Sequence, residues 1–96
     1  MYLLRLSDPV LISARSSTAG ITVKWRAVSG ATYYNVYRKT AGQTWVRVAA
    51  LSGGSTSQYV DKTAKKGVTY TYTVRACNGK VISSYNAKGI SCKDLY

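Results

Sequence analysis

Apolar and polar residues alternate at every second position along most of this 96-residue chain. Turn-forming residues interrupt the alternation about every ten residues. The clearest case is the segment 68–77, in which Tyr70, Tyr72 and Val74 fall on one face of an extended strand. The threonines, including Thr73, and Arg75 fall on the other face. Because side chains of a strand point alternately to opposite faces, this pattern buries one face and leaves the other in water. The chain is therefore expected to be all-β.

The same pattern predicts seven strands, each ended by residues that favour turns. They cover roughly residues 10–14, 21–26, 33–39, 45–49, 57–60, 68–77 and 82–93. The last strand is expected to carry an irregularity between Asn86 and Gly89. Seven short antiparallel strands in a chain of this length predict a seven-stranded immunoglobulin-like β-sandwich, with one domain over residues 1–96.

The acidic and histidine content excludes most catalytic groups. The chain has three acidic residues, all Asp, and no His. Ser-His-Asp triads, Cys-His pairs and glutamate bases are therefore excluded. Asp8, Asp61 and Asp94 are far apart in the sequence and predict neither a calcium site nor an acid–base pair. Asp61 is expected to cap a turn. We expect no enzyme activity, no catalytic residues, no cofactor and no metal site.

The net charge is strongly positive, because 14 Lys and Arg stand against three acids and give +11. Such a chain is expected to bind polyanions weakly and in a salt-sensitive way. The basic residues are dispersed, and the longest run is Lys65-Lys66, which favours a role in solubility over a dedicated polyanion site. No segment is apolar for long enough to predict membrane insertion.

Strand parity separates two groups of large side chains. The expected core consists of Trp25, Tyr34, Val36, Tyr70, Tyr72 and Val74.

A second group is expected to lie on the outside and to form a candidate ligand face. It consists of Tyr33, Tyr37, Trp45 and Arg47, and Arg38 and Lys39 are expected close by. Exposed aromatic rings beside cations stack on sugars or bases. The alternative is that these rings pack across neighbouring strands and bind nothing. Parity leaves open which face Trp45 occupies.

The two cysteines form a disulfide only if the last hairpin has a long loop. The Asn78-Gly79 pair favours a tight turn, which places Cys77 beside Ser83 and Cys92 at the far end of the hairpin near Val68. The thiols are then too far apart to bond. In the alternative, a loop with its tip near Ser84 places Cys77 opposite Cys92. We expect the unbonded arrangement.

Several segments together resemble a fibronectin type III domain, of the kind found in bacterial extracellular proteins and polysaccharide-degrading enzymes. They are Pro9, Trp25, Gly30–Arg38 and Gly67–Ala76, and the resemblance covers nearly the whole chain. It implies that Trp25 is the core tryptophan between two sheets. It also implies that the hydroxyl of Tyr70 bonds to backbone a few residues upstream, as in a tyrosine corner.

The resemblance further implies a non-catalytic spacer or interaction module that positions neighbouring domains of a parent chain. Its expected surroundings are the cell surface or a plant or microbial polysaccharide, outside the cell. Residues 1–5 lack the apolar run of a signal peptide, so the export signal is expected elsewhere on the parent chain. The alternative is a binding module for anionic glycan or nucleic acid that uses the aromatic and basic face.

Overall fold

The computed structural model describes residues 5–96, and every regular element in this range is a strand. The first four residues of the expected 1–96 domain lie outside the described residues. The strands are β1 (Leu11–Ser17), β2 (Gly20–Trp25), β3 (Tyr33–Lys39), β4 (Val46–Ser52), β5 (Gln58–Asp61), β6 (Thr69–Asn78), β7 (Val81–Ile82) and β8 (Ile90–Lys93). No helix in this range is long and apolar enough to cross a membrane.

The strands form two antiparallel sheets that pack face to face. The smaller sheet has the order β1-β2-β5, and the larger sheet has the order β4-β3-β6 with β7 and β8 both paired to the far edge of β6. The all-β sandwich expected from the alternation is confirmed. Most strand ends differ from the expected ones by one to three residues, because pairing continues to Ser17 in β1 and to Ser52 in β4.

The expected last strand over 82–93 is wrong as a continuous element. β7 and β8 are separated by a loop over 83–89, so residues 5–96 contain eight strands where seven were expected. Two local hydrogen-bond patterns replace strand pairing. The hydroxyl of Ser83 accepts the Ala76 N–H at 2.9 Å, and the side-chain oxygen of Asn86 accepts the Lys88 N–H at 3.0 Å. Gly89 follows with a φ of +63°, which glycine adopts without steric cost.

The core lies between the sheets and contains all six expected residues. Trp25, Tyr34, Val36, Tyr72 and Val74 are at most 1% exposed and Tyr70 is 5% exposed. The rings of Trp25 and Tyr34 lie 5.7 Å apart at their centroids. At the end of the core, the Tyr70 hydroxyl accepts the Lys65 N–H at 2.9 Å, which is the tyrosine-corner bond that the resemblance implied.

One buried polar cluster was only partly expected. Asp61 does cap a turn, since its carboxylate accepts the Thr63 N–H at 3.0 Å. The same carboxylate is fully buried, accepts the Tyr72 hydroxyl at 2.6 Å and pairs with Arg38 at 2.8 Å. Arg38 was expected beside the outer aromatic residues. It instead shares the inner face of β3 with Tyr34 and Val36, and its guanidinium covers the Tyr70 ring at 4.6 Å.

The cysteines are both free, as expected from the tight-turn register. Cys77 pairs with Ile82 across the β6–β7 turn, whereas Cys92 pairs with Tyr70 near the start of β6. Seven residues of β6 at ~3.3 Å each separate the two positions by roughly 23 Å, beyond the reach of a disulfide.

Candidate functional site

The outer face of the larger sheet is built by side chains that alternate with the core. On β3 these are Tyr33, Asn35, Tyr37 and Lys39. The register places Thr73 of β6 directly beside Tyr37, and places Arg75 of β6 beside Asn35. Directly opposed residues of an antiparallel pair point to the same side, so Thr73 and Arg75 belong to this outer face.

Trp45 lies just before β4, and a local irregularity sets the side on which it lies. The β3–β4 register shifts between Val36 and Tyr37, so that Arg47, and not Val48, pairs with Tyr37. The Trp45 ring lies over the outer face, with the Lys39 ammonium 4.8 Å from its centroid. A β-carbon on Gly89 would be 3.0 Å from this ring. Because glycine has no side chain, the Trp45 indole packs beside position 89 without a steric clash.

Tyr85 completes the group and comes from the loop that interrupts the last strand. Its ring meets the Trp45 ring edge to face, with centroids 6.2 Å apart and planes at 80°. The loop is held on the sheet by the Thr73 hydroxyl, which donates to the Asn86 carbonyl oxygen at 2.8 Å. If residues 82–93 formed one continuous strand, this loop would be absent and could not place the Tyr85 ring at this position.

Arg75 lies between two of the rings. Its guanidinium is 4.6 Å from the Tyr85 centroid and 5.8 Å from the Tyr37 centroid. Cation–π contacts of this kind stabilise a partly exposed surface by about 0.5 to 1 kcal/mol each. They also restrict the guanidinium to the space between the rings.

Together these side chains line a shallow pocket, which we call the outer-face pocket. Its volume is about 80 Å³, and it is lined by Tyr37, Trp45, Thr73, Arg75 and Tyr85. Pockets that enclose whole small molecules are typically ~300 to 1,000 Å³. The outer-face pocket therefore accommodates part of a single ring and leaves the remainder of a ligand on the surface.

The tyrosine hydroxyls of the pocket differ from those of the core in their hydrogen bonding, whereas the buried indole N–H of Trp25 has no partner among the described residues. The hydroxyls of Tyr34, Tyr70 and Tyr72 all bond within the protein. Within residues 5–96, by contrast, the Tyr37 and Tyr85 hydroxyls, the Trp45 N–H and the Arg75 guanidinium have no hydrogen-bond partner. The pocket thus presents donors and acceptors that the fold does not use.

The surface carries a larger excess of positive over negative charge than the composition indicates, because two of the three acidic residues are buried. Asp61 and Asp94 are buried and hydrogen-bonded, and Asp8 is exposed. In the described part of the chain, the pair between Arg38 and Asp61 is the one ion pair present. The charged side chains that line the outer-face pocket or contact its rings are Arg75 and Lys39, and both are positive.

The structure brings together two of the four residues of the predicted ligand face. Tyr37 and Trp45 line the pocket. Tyr33 lies further along β3, where its hydroxyl donates to the Gly79 carbonyl oxygen at 3.2 Å. Arg47 is exposed and opposite Tyr37 but does not line the pocket. That this face binds a ligand remains a prediction.

Sequence reasoning missed three residues of the pocket. Alternation assigned Thr73 and Arg75 to the outer side of their strand. Their position beside Tyr37 follows from the pairing register of β6 with β3, which alternation alone does not give. Tyr85 carried no such signal, because it was placed within the last strand, ahead of the irregularity expected between Asn86 and Gly89. The structure has a loop over 83–89 instead.

Comparison with known proteins gives matches among solved structures only. No protein-family model and no curated protein matches the chain. A β-1,2-glucanase from Parabacteroides distasonis contains a region similar to 95% of this chain, with 26% identity and a TM-score of 0.82, and the match covers 13% of the glucanase.

Two further structures share the fold. An Fn3-like protein from Clostridium thermocellum is 25% identical with a TM-score of 0.75, and the match covers 92% of each chain. A pectate lyase from Pectobacterium carotovorum is 23% identical with a TM-score of 0.67, over 94% of this chain and 28% of the lyase. The expected resemblance is confirmed, and this chain has a fibronectin type III-like fold. In two of the three structures the same fold forms a small part of a longer chain.

Proposed function

We propose that this domain is a non-catalytic spacer of a larger exported bacterial protein and holds neighbouring domains at a fixed separation near a polymer or the cell surface. The observation that carries the proposal is that the polypeptide enters and leaves at opposite ends of an elongated body. The body measures 50 × 26 × 18 Å. A domain of this shape separates whatever is attached to its two ends.

The chain enters the domain beside the C-terminal end of β6. Arg5, Leu6 and Asp8 border a surface depression together with Val81 and Ser84, which follow the β6–β7 turn. Leu6 is 6% exposed and belongs to the core cluster. Burial of this leucine fixes the chain against the sandwich from residue 6 onwards.

The exit lies beside the N-terminal start of β6 and is held by several hydrogen bonds. The Asp94 N–H donates to the Val68 carbonyl oxygen at 3.0 Å, and the Gly67 N–H donates to the Asp94 carbonyl oxygen at 2.7 Å. The Ser16 hydroxyl donates to the Asp94 carboxylate at 3.1 Å and accepts the Leu95 N–H at 2.9 Å. These bonds set the direction in which a following segment leaves the domain.

The comparisons support a role as a module. The match with the glucanase reaches a TM-score of 0.82 although it covers 13% of that chain, so this fold occurs there as one part of a much longer protein. A β-1,2-glucanase acts on a polysaccharide, which motivates the proposed location outside the cell near a polymer. The non-catalytic role is supported by Asp61 and Asp94, whose carboxylates are occupied by bonds within the fold.

Single-molecule energy transfer between dyes on reporter domains fused to the two ends tests the spacer role. A random-coil linker of equal length has an end-to-end distance of ~50 to 60 Å, similar to the length of the domain, so the width of the distribution is the informative quantity. We expect a narrow distance distribution for this chain and a broad one for a Gly/Ser linker of equal length. Equal widths would contradict the spacer role.

A further inference from the structure

We propose that the outer-face pocket binds a pyranose ring that carries a carboxylate, as in a uronate residue of an acidic polysaccharide. This inference goes beyond the spacer role, because a spacer requires no ligand. The two proposals fail independently, since one concerns the separation of the chain ends and the other concerns one face of the larger sheet.

The charge of the pocket selects for an anion. Arg75 is positioned by the Tyr85 and Tyr37 rings, at 4.6 and 5.8 Å, and has no carboxylate partner in the described residues. A guanidinium held in place binds a carboxylate through two parallel hydrogen bonds and loses little side-chain freedom in doing so. Lys39, beside Trp45, adds a second cation at the rim.

The arrangement of the rings favours a sugar over a nucleobase. The planes of Trp45 and Tyr85 meet at 80°, so the two rings form a corner and not a parallel slot into which a flat base would slide. A pyranose has an apolar C–H face that packs on an aromatic ring, and it has hydroxyls at its edge. Tyr37 and Trp45 both line the pocket, so their hydroxyl and indole N–H are available to such an edge. Proteins that bind single-stranded nucleic acid use longer basic grooves that follow several nucleotides.

The pocket is formed before any ligand binds. Thr73 is 1% exposed and donates to the Asn86 carbonyl oxygen at 2.8 Å, and the Asn86 side chain accepts the N–H groups of Lys88 and Gly89. These bonds hold the loop that carries Tyr85. Affinity is therefore not reduced by the entropy of ordering that loop on binding.

Proton–nitrogen correlation spectra provide a test that needs no mutation, because the chain has two tryptophans. Trp45 lines the pocket and Trp25 lies in the core at 1% exposure. Titration with a galacturonate trisaccharide at about 0.15 M NaCl should shift the Trp45 indole N–H signal with saturation and leave the Trp25 signal unchanged. The absence of a saturable shift at Trp45 would overturn the proposal.

Charge-matched variants separate a local site from general attraction to a basic protein. Arg75→Gln should weaken trisaccharide binding about tenfold, since it removes hydrogen bonds to a charged group. Arg15→Gln makes the same change on the exposed part of β1 in the other sheet and should alter binding by less than about twofold. Equal losses in the two variants would show attraction by net charge only and would overturn the proposal. Thermal unfolding of both variants checks that each remains folded.

Two competing ligands complete the test. The methyl ester of the same trisaccharide keeps the rings and lacks the charge, so it should bind about tenfold more weakly than the free acid. A single-stranded oligonucleotide should bind without a saturable shift at Trp45. Equal binding of the ester, or tighter binding of the oligonucleotide at Trp45, would contradict the assignment to a carboxylated sugar.

Discussion

The hydroxyl of Tyr72 donates a 2.6 Å hydrogen bond to the carboxylate of Asp61, and both side chains are fully buried between the sheets. Burial by itself would raise the pKa of Asp61, but hydrogen bonds from Tyr72, Thr63 and Arg38 outweigh it and lower the pKa below its ordinary value. Burial and the bond to Asp61 raise the pKa of Tyr72. The cluster therefore holds a negative carboxylate and a neutral phenol inside the fold.

Asp61→Asn should destabilise the domain by about 2 to 3 kcal/mol. The substitution removes the negative charge that Arg38 pairs with, and breaking a buried pair leaves the other charge poorly compensated. The loss is smaller than for a fully buried pair because the Arg38 side chain is 25% exposed. Urea unfolding measures this loss in the free energy of unfolding. Asp8→Asn, at an exposed aspartate, is the matched control and should change stability by less than about 0.5 kcal/mol.

Stability should fall in acid because of the same carboxylate. The native pKa of Asp61 is below the ordinary value of 3.8, so its contribution is present above pH 3.8 and is lost as the pH falls through the lowered native pKa. Urea unfolding at neutral pH and at several pH values around and below 3.8 should show this decline in the wild type. Asp61→Asn should show a smaller decline, and an equal decline in both proteins would contradict the role of Asp61.

Tyr70→Phe should cost about 1 to 2 kcal/mol, because it removes the oxygen that accepts the Lys65 N–H at 2.9 Å. The contact between Arg38 and the ring would remain, since it involves the ring face. Tyr37→Phe is the control, because that hydroxyl bonds to no other described residue and its loss should be nearly neutral. Similar unfolding energies for the two variants would be inconsistent with a tyrosine corner at residue 70.

A thiol reagent should find two reactive equivalents in the unreduced, unfolded protein, since Cys77 and Cys92 are free and far apart. In the folded protein Cys92 should react faster, because Cys77 is completely buried. Burial raises the pKa of both thiols, which slows both reactions. A protein with no reactive thiols in denaturant would show that the two are bonded and that the β6–β7 register is wrong.

The parts of the fold that follow from alternation were predictable from the sequence. Tyr34, Val36, Tyr72 and Val74 were assigned to the core by parity and are buried there. Arg38 has the same parity as Tyr34 and Val36, yet its charge led to an outward assignment. Its buried partner Asp61 is 23 residues away in the sequence, and no local pattern indicates that pairing.

The candidate site was less predictable because it depends on two interruptions of regular structure. The register shift between Val36 and Tyr37 places Arg47 beside Tyr37, and alternation within β4 alone does not show it. The break between β7 and β8 places Tyr85 beside Trp45, and it depends on hydrogen bonds of Ser83 and Asn86 to positions on β6. Both interruptions become visible only when strands are paired.

Nuclear Overhauser contacts between the rings of Tyr85 and Trp45 in the free protein most directly test whether the interrupted last strand builds the outer-face pocket. We expect cross-peaks between the two rings, whose centroids are 6.2 Å apart in an edge-to-face contact. We also expect cross-peaks from Gly89 to the Trp45 ring. The absence of these contacts, together with strand-type contacts from residues 83–89 to β6, would show a continuous strand and would contradict the existence of the pocket.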